Sequence, residues 1–484
     1  MMIVHRGIIS FVSIALLALA GGTALAQPLG PTPAPFTLSV PLYPEFDLFG
    51  NQFEVVQAYE NSGGQKSITA GIYDTGASVV TFSALDQEFL FPFQAQPQIP
   101  ILPGGEGGAT ADAIGGAGTL TGDVSAPGRI YAAGASALTI DFNSPTFFTY
   151  DLTNAVSIAG IQAFVGTLGG SPDLPSIVGT PINLPSATNP NGLATLLDQR
   201  GYTLNLGDID PVFGNIAFEF PDVRFVQPGS TLDESSETYE TVHIPMSLFG
   251  VDNTSNPGTG ISAAPNPVQT SVAVAYTPEP TGSATGTVSN QTFLFDTGAQ
   301  LSIISTAIAA QLGLTEADGT PIVTPFDSIQ VQGASGTTPS LPGYILDTLT
   351  VPRIGGGFVE FTDVPVYVLD IGSGLDGILG MNLFNGADSF LYDPYDLTMG
   401  PHVSVTFLDD RTLGSVTDES GIFAVLGDPG VGLTTELILA ALGTRFGIAQ
   451  PVFPGITSVP EPSTLTLGLI SVVALIRRRR TVLG

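Results

Sequence analysis

No cysteine occurs among the 484 residues, so neither disulfides nor a thiol nucleophile is available. Histidine is almost as scarce. Of its three copies, His5, His243 and His402, the first lies in a leader. A Ser-His-Asp triad or a multi-histidine metal site therefore has almost nothing to draw on. Positive charge is thin as well: 12 Lys and Arg stand against 43 Asp and Glu, a formal net charge of -31. Four of those cations are the run Arg477-Arg478-Arg479-Arg480 and one is Arg6, so the body between them is more acidic still. Such a surface repels nucleic acid and anionic lipid. It reads as solubility in a salty or crowded exterior rather than as a site for a cationic partner. If this chain performs hydrolysis, carboxylates are the machinery it has.

What the chain does have is a motif written twice. Gly71-Ile72-Tyr73-Asp74-Thr75-Gly76-Ala77-Ser78 is matched by Phe293-Leu294-Phe295-Asp296-Thr297-Gly298-Ala299-Gln300. Each copy ends a run of strand formers, turns at Asp-Thr-Gly, then resumes apolar at Val79-Val80 or Ile303-Ile304. One Asp-Thr-Gly is weak, because these are ordinary turn residues; two in matching surroundings are not. Two carboxylates held about 3 Å apart cannot both ionise, so they keep one proton between them. The ionised member takes a proton from water while the protonated one polarises a carbonyl. In this reading Asp74 and Asp296 are the catalytic candidates. Gly76 and Gly298 permit close backbone packing, and the Thr75 and Thr297 hydroxyls pin the loops.

The 59 Gly, 39 Pro and 29 Phe, with 43% hydrophobic residues, suit a mainly β body with many turns. The repeat predicts two similar β lobes, each presenting one Asp from a loop at its edge. Downstream of each Asp lies a second matching piece, Ile177-Val178-Gly179 and Ile378-Leu379-Gly380. Such a triplet suits a strand crossing behind the Asp loop, with Gly179 and Gly380 allowing close approach. The predicted boundaries are a linker over 27–36, a first lobe over 37–226, an inter-lobe linker over 227–240 and a second lobe over 241–410. A tail with a possible short helix follows over 411–457. The stretch from Gly104 to Gly128 reads equally as a hairpin over a cleft and as a plain glycine-rich turn; no helix pattern follows it, so it is no dinucleotide fingerprint. Asp208-Ile209-Asp210 and Asp393-Pro394-Tyr395-Asp396 lack the spacing of a calcium loop and read as solvated turns. No metal or other cofactor is expected.

Both ends carry addresses. Residues 1–26 have a positive start at Arg6, an apolar core and Ala24-Leu25-Ala26 before Gln27, which together read as a signal peptide cleaved between Ala26 and Gln27. At the other end, Pro460-Glu461-Pro462 precedes an apolar run from Leu465 to Ile476 and the four arginines. That run is shorter than the usual span of about 20 residues, which argues for transient membrane contact.

The two turns, with their glycine-ended pieces, resemble the aspartic proteases of the pepsin and retropepsin type, over roughly Pro35 to Asp410. The resemblance implies a bilobal β fold with a central cleft and no cofactor. It further implies a catalytic pair Asp74 and Asp296 acting on a peptide or protein substrate, and threonines at 75 and 297 that brace the loops. The glycine-rich stretch matches that family's flap in position but has no tyrosine; Tyr131 lies beyond it. Ala77 and Ala299 stand where pepsins carry Ser or Thr and look more like the retroviral version. With no hydroxyl there to favour ionisation, a mildly acidic optimum is expected. Residues 458–484 resemble a PEP-CTERM sorting signal, which implies export, processing by signal peptidase and exosortase, and delivery to the outer surface or extracellular matrix of a Gram-negative bacterium. A monomeric, surface-sorted aspartic endopeptidase is the resulting expectation; the alternative is a non-catalytic surface or matrix protein built on the same fold.

Overall fold

The computed structural model describes residues 36–39, 52–83, 99–105, 109–112, 119–140, 148–168, 175–205, 217–232, 239–250, 252, 260–278, 286–333, 336–371, 374–384 and 387–408. The signal-cleavage pair Ala26 and Gln27, the sorting residues Pro460, Glu461 and Pro462, the tail and Asp208–Asp210 lie outside them.

Three large sheets hold most of the described strands, and two of them repeat one plan. In the first, Glu54–Glu60 and Lys66–Tyr73 make an antiparallel hairpin. Its turn is closed by Asn61, whose Oδ1 accepts from the N–H groups of Gly63 and Gln65, while Gly64 takes the left-handed φ of +77°. In the second, Asn266–Tyr276 and Gly286–Phe295 do the same. Lys66–Tyr73 and Gly286–Phe295 each lead directly into an Asp-Thr-Gly turn. Beside each runs a short parallel strand, Ser176–Val178 or Gly377–Leu379. These are the two glycine-ended pieces, and all six of their strand residues are buried.

After each turn the chain re-enters its sheet, as Thr81–Ser83 or Ser302–Ile304, antiparallel to that short strand. The Asp turn is thus held between two strands that share a neighbour. In the second lobe the chain then makes the helix Thr306–Gln311, started by Ser305, whose side chain accepts from the Ile308 N–H. Six residues give too short a run for hydrophobic periodicity to register.

The third sheet joins the lobes. Its order is Ala217–Val226, Ala194–Asn205, Ala387–Asp393, His402–Leu408 and Tyr239–Pro245. Thr195 to Asp198 pair with Tyr392 to Ser389, so strands placed in different lobes by the sequence reading share hydrogen bonds. One core runs through the junction and includes Phe53, Tyr73, Phe295, Phe384 and Phe390. Phe53 and Phe384 both meet Phe390 edge to face, at 6.1 and 5.3 Å between ring centres.

Several details differ from expectation. Phe36–Ser39, which the sequence reading divides between the linker (Phe36) and the first lobe (37–39), pairs in parallel with Val359 to Thr362 of the second. An edge strand joins whichever edge is open to it, and no local pattern encodes that choice. Asp393 and Asp396 are buried rather than solvated: Asp393 accepts from Gly229 N and Tyr395 N, and Asp396 from Thr398 N and Met399 N. Their carboxyls satisfy turn N–H groups that would otherwise be orphaned. The glycine-rich stretch forms a hairpin of Ala109–Asp112 with Thr119–Val124, and its turn lies outside the described residues. Tyr131 belongs to another strand, where its hydroxyl bonds Glu60. His243 packs in the joining sheet, Nδ1 2.7 Å from Ser404 Oγ and its ring edge-on to His402.

Candidate active site

Each Asp is fixed first by its own backbone. Asp74 N donates to Val178 O at 3.1 Å and Asp296 N to Leu379 O at 3.2 Å, extending the parallel pairing into the turn. The turn then folds back on the side chain. Gly76 N and Ala77 N donate to Asp74 Oδ1 at 2.7 and 3.1 Å, and Gly298 N and Ala299 N to Asp296 Oδ1 at 2.9 and 3.1 Å. A four-residue sequence thus orients each carboxyl, with one oxygen turned inward onto two N–H groups.

The glycines set how near the turns can come. A Cβ on Gly76 would stand 2.4 Å from Asp296 Cγ, and one on Gly298 2.5 Å from Asp74 Cγ. No larger residue fits without displacing the opposite carboxyl. Gly179 and Gly380 serve from behind: Cβ atoms there would lie 2.2 Å from Val79 O and 2.3 Å from Leu301 O. Those glycines also begin short segments that return to the turns, through Thr180 N to Ala77 O at 2.9 Å and Met381 N to Ala299 O at 2.8 Å.

Thr75 and Thr297, both fully buried, lock the halves together. Thr75 Oγ1 donates to Phe295 O at 2.7 Å and accepts from Thr297 N at 3.1 Å. Reciprocally, Thr297 Oγ1 donates to Tyr73 O at 3.0 Å and accepts from Thr75 N at 3.0 Å. Each hydroxyl uses its one donor and an acceptor lone pair across the lobe boundary, so the bonds are interdependent.

Two residues outside the motif also cross that boundary. Asn266, the first residue of its strand, donates Nδ2 to Thr75 O at 2.7 Å, and Gln52, two residues before Glu54–Glu60, donates Nε2 to Gly298 O at 3.3 Å. Sequence reasoning passed over both. The one signal was positional, since Gln52 stands just before, and Asn266 at the start of, the first strand of its repeat.

The two carboxyls lie close enough for each to affect the other's ionisation. Each Asp is half-buried as a residue, yet its carboxyl packs against the opposing glycine. Loss of hydration, together with the nearby Asp296 charge, holds Asp74 well above the ordinary carboxylate range. Loss of hydration raises Asp296 as well, while the turn N–H groups draw both back down. The pair therefore retains a proton at pH values where isolated carboxylates have lost theirs, and its titration belongs to both members. Behind it, the Tyr73 phenol donates to Asn183 Oδ1, and burial raises it well above the usual range. Among the described residues no three His, Asp or Glu side chains converge as metal ligands do.

Among the solved structures that align with the chain are two at low identity. The chain aligns with basic 7S globulin from soybean at 9% identity, over 75% of this chain and 99% of that one, with a TM-score of 0.35. It aligns with an aspartic proteinase from Irpex lacteus at 13% identity, over 75% and 98%, also with a TM-score of 0.35. No curated protein matches the chain. Residues 284–383, the segment holding Asp296, Thr297, Gly298 and Gly380, match the family model described as aspartyl protease.

Proposed function

We propose that this chain is an aspartic-type endopeptidase, exported and sorted to the cell surface, in which Asp74 and Asp296 share one proton and activate water against a peptide bond. The observation that carries the reading is the pair itself: two carboxyls from distant turns, each seated against the opposite turn's glycine and braced by reciprocal threonine bonds. The aspartyl protease match over the second turn supports it.

The chemistry follows from one proton on two acids. The ionised carboxylate takes a proton from water as the water oxygen bonds to the scissile carbonyl carbon. The protonated carboxyl gives its proton to the carbonyl oxygen, and a neutral diol forms. When a carboxyl then protonates the amide nitrogen, the C–N bond breaks and one hydroxyl proton returns to the pair. The inner oxygens, tied to turn N–H groups, hold the outer oxygens in place without reorganisation. Surface sorting rests on Pro460, Glu461, Pro462, the apolar run and the terminal arginines; export rests on the leader with its Ala26–Gln27 junction.

Casein or a peptide library digested across pH 3–7 tests the reading. We expect a bell-shaped profile with a mildly acidic optimum, inhibition by a statine-type compound, and no cleavage by Asp74→Asn or Asp296→Asn. A flat profile, or either variant at full activity, removes the mechanism. Complete inactivity of the wild type on all substrates returns the chain to the non-catalytic surface reading.

A further inference from the structure

We propose that Asn266 and Gln52 are positioning residues that act on the carboxyl pair through the backbone, each by gripping the peptide group whose N–H holds one inner carboxyl oxygen. The inference rests on the peptidase reading and extends it beyond the Asp-Thr-Gly turns. Its basis is the connectivity of two hydrogen-bond chains. Asn266 Nδ2 donates to Thr75 O, and the same peptide group carries Gly76 N, which donates to Asp74 Oδ1. Gln52 Nε2 donates to Gly298 O, and that peptide group carries Ala299 N, which donates to Asp296 Oδ1. Both carbonyls can only accept, which fixes the amide orientation of Asn266 and Gln52. A donor on the carbonyl oxygen of a peptide polarises the group and strengthens its N–H as a donor.

Each chain crosses the lobes. Asn266, from the second lobe, steadies the turn of Asp74; Gln52, from the first, steadies the turn of Asp296. The two donors occupy equivalent places in the repeat, but they grip peptides one residue apart in the motif, Thr75–Gly76 and Gly298–Ala299, and their bonds differ in length. Both bonds in the Asn266 chain are 2.7 Å, whereas those in the Gln52 chain are 3.3 and 3.1 Å. Asn266 is 7% exposed, so its amide has little water to turn to instead. The stronger grip falls on Asp74, so the two carboxyls are held by unequal donors even though their turns share a sequence.

A stronger N–H donor favours the ionised carboxylate. Removing the amide should therefore make the pair harder to ionise and move the acidic limb of the pH-rate profile upward. The titratable groups facing the pair are Asp74 and Asp296 themselves and the Tyr73 phenol, which remains neutral through the acidic range. A shift of that limb reports on the pair.

The test compares wild type with Asn266→Ala, Asn266→Gln, Gln52→Ala and Gln52→Asn by two readouts: kcat/KM across pH, and carboxyl titration by 13C NMR of Asp-labelled protein. The dyad signals are assigned by their loss in Asp74→Asn and Asp296→Asn. Asn266→Ala should lower kcat/KM about tenfold at the optimum, the worth of one buried hydrogen bond, and move both the acidic limb and the dyad titration upward. Asn266→Gln, which retains the amide, should recover much of both, and Gln52→Ala should do the same as Asn266→Ala to a smaller degree. Uniform loss of activity at all pH values with an unmoved limb and titration overturns the proposal, because a merely structural role would behave that way. Should the wild type cleave nothing, the peptidase reading fails on its own, and the NMR titration still decides whether the amides act on the carboxyls.

Discussion

Asp74 is an acid that folding makes weaker, and this has a sign that stability measurements can read. Because its folded-state pKa is raised by burial and by Asp296, the neutral form is the one the fold favours. The associated stability is fully present below the unfolded value, near pH 4, and is lost as pH climbs through the folded value. Asn at the same position cannot ionise. The difference in Tm between Asp74→Asn and wild type should therefore move in the variant's favour as pH rises from about 4. Thermal denaturation of both proteins over a pH series checks this. A difference that is constant, or that moves the other way, would show that the carboxyl is not destabilised by its surroundings.

The turns act as coupled elements rather than as two separate loops. Thr297 satisfies Tyr73 O and Thr75 N, both on the opposite turn, and valine at 297 would leave those buried groups without partners. At about 1–3 kcal/mol for each of the two orphaned groups, Thr297→Val should cost about 2–6 kcal/mol. Thr297→Ser keeps the hydroxyl and should cost much less. Urea denaturation of the two variants separates these outcomes, and equal destabilisation would assign the loss to the methyl group rather than to the bonds. The same interdependence explains why glycine stands at 76 and 298. There the limit is imposed by the opposite carboxyl and not by the turn's own backbone.

Taken whole, the molecule is two lobes that do not own all their strands. The joining sheet takes strands from both, Phe36–Ser39 extends the second lobe's sheet, and one core runs from Phe53 to Val405. Such sharing couples the lobes energetically, so we expect one cooperative unfolding transition in which calorimetric and van't Hoff enthalpies agree. Two well-separated endotherms would show that the lobes fold as independent units. The net charge of -31 opposes compaction at neutral pH and is relieved as carboxylates protonate.

The Asp-Thr-Gly turns were legible in the sequence because their chemistry is local. Four residues, Asp-Thr-Gly-Ala, both shape the turn and supply its N–H donors, and writing the motif twice declared the repeat. The glycine-ended strands were legible for the same reason, through recurrence. Beyond their place at the start of each repeat, nothing in one dimension distinguishes Asn266 or Gln52 from other amides, since their partners lie 191 and 246 residues away and are backbone carbonyls. The burial of Asp393 and Asp396 and the sheet joined by Phe36–Ser39 were equally unreadable. By itself the sequence determined a β-rich, acidic chain with two matching carboxylate turns, because composition and local turn geometry are properties of neighbours. Only the tertiary structure decided that these turns meet with each carboxyl against the other's glycine, because that depends on hydrogen bonds and packing between residues far apart in the chain.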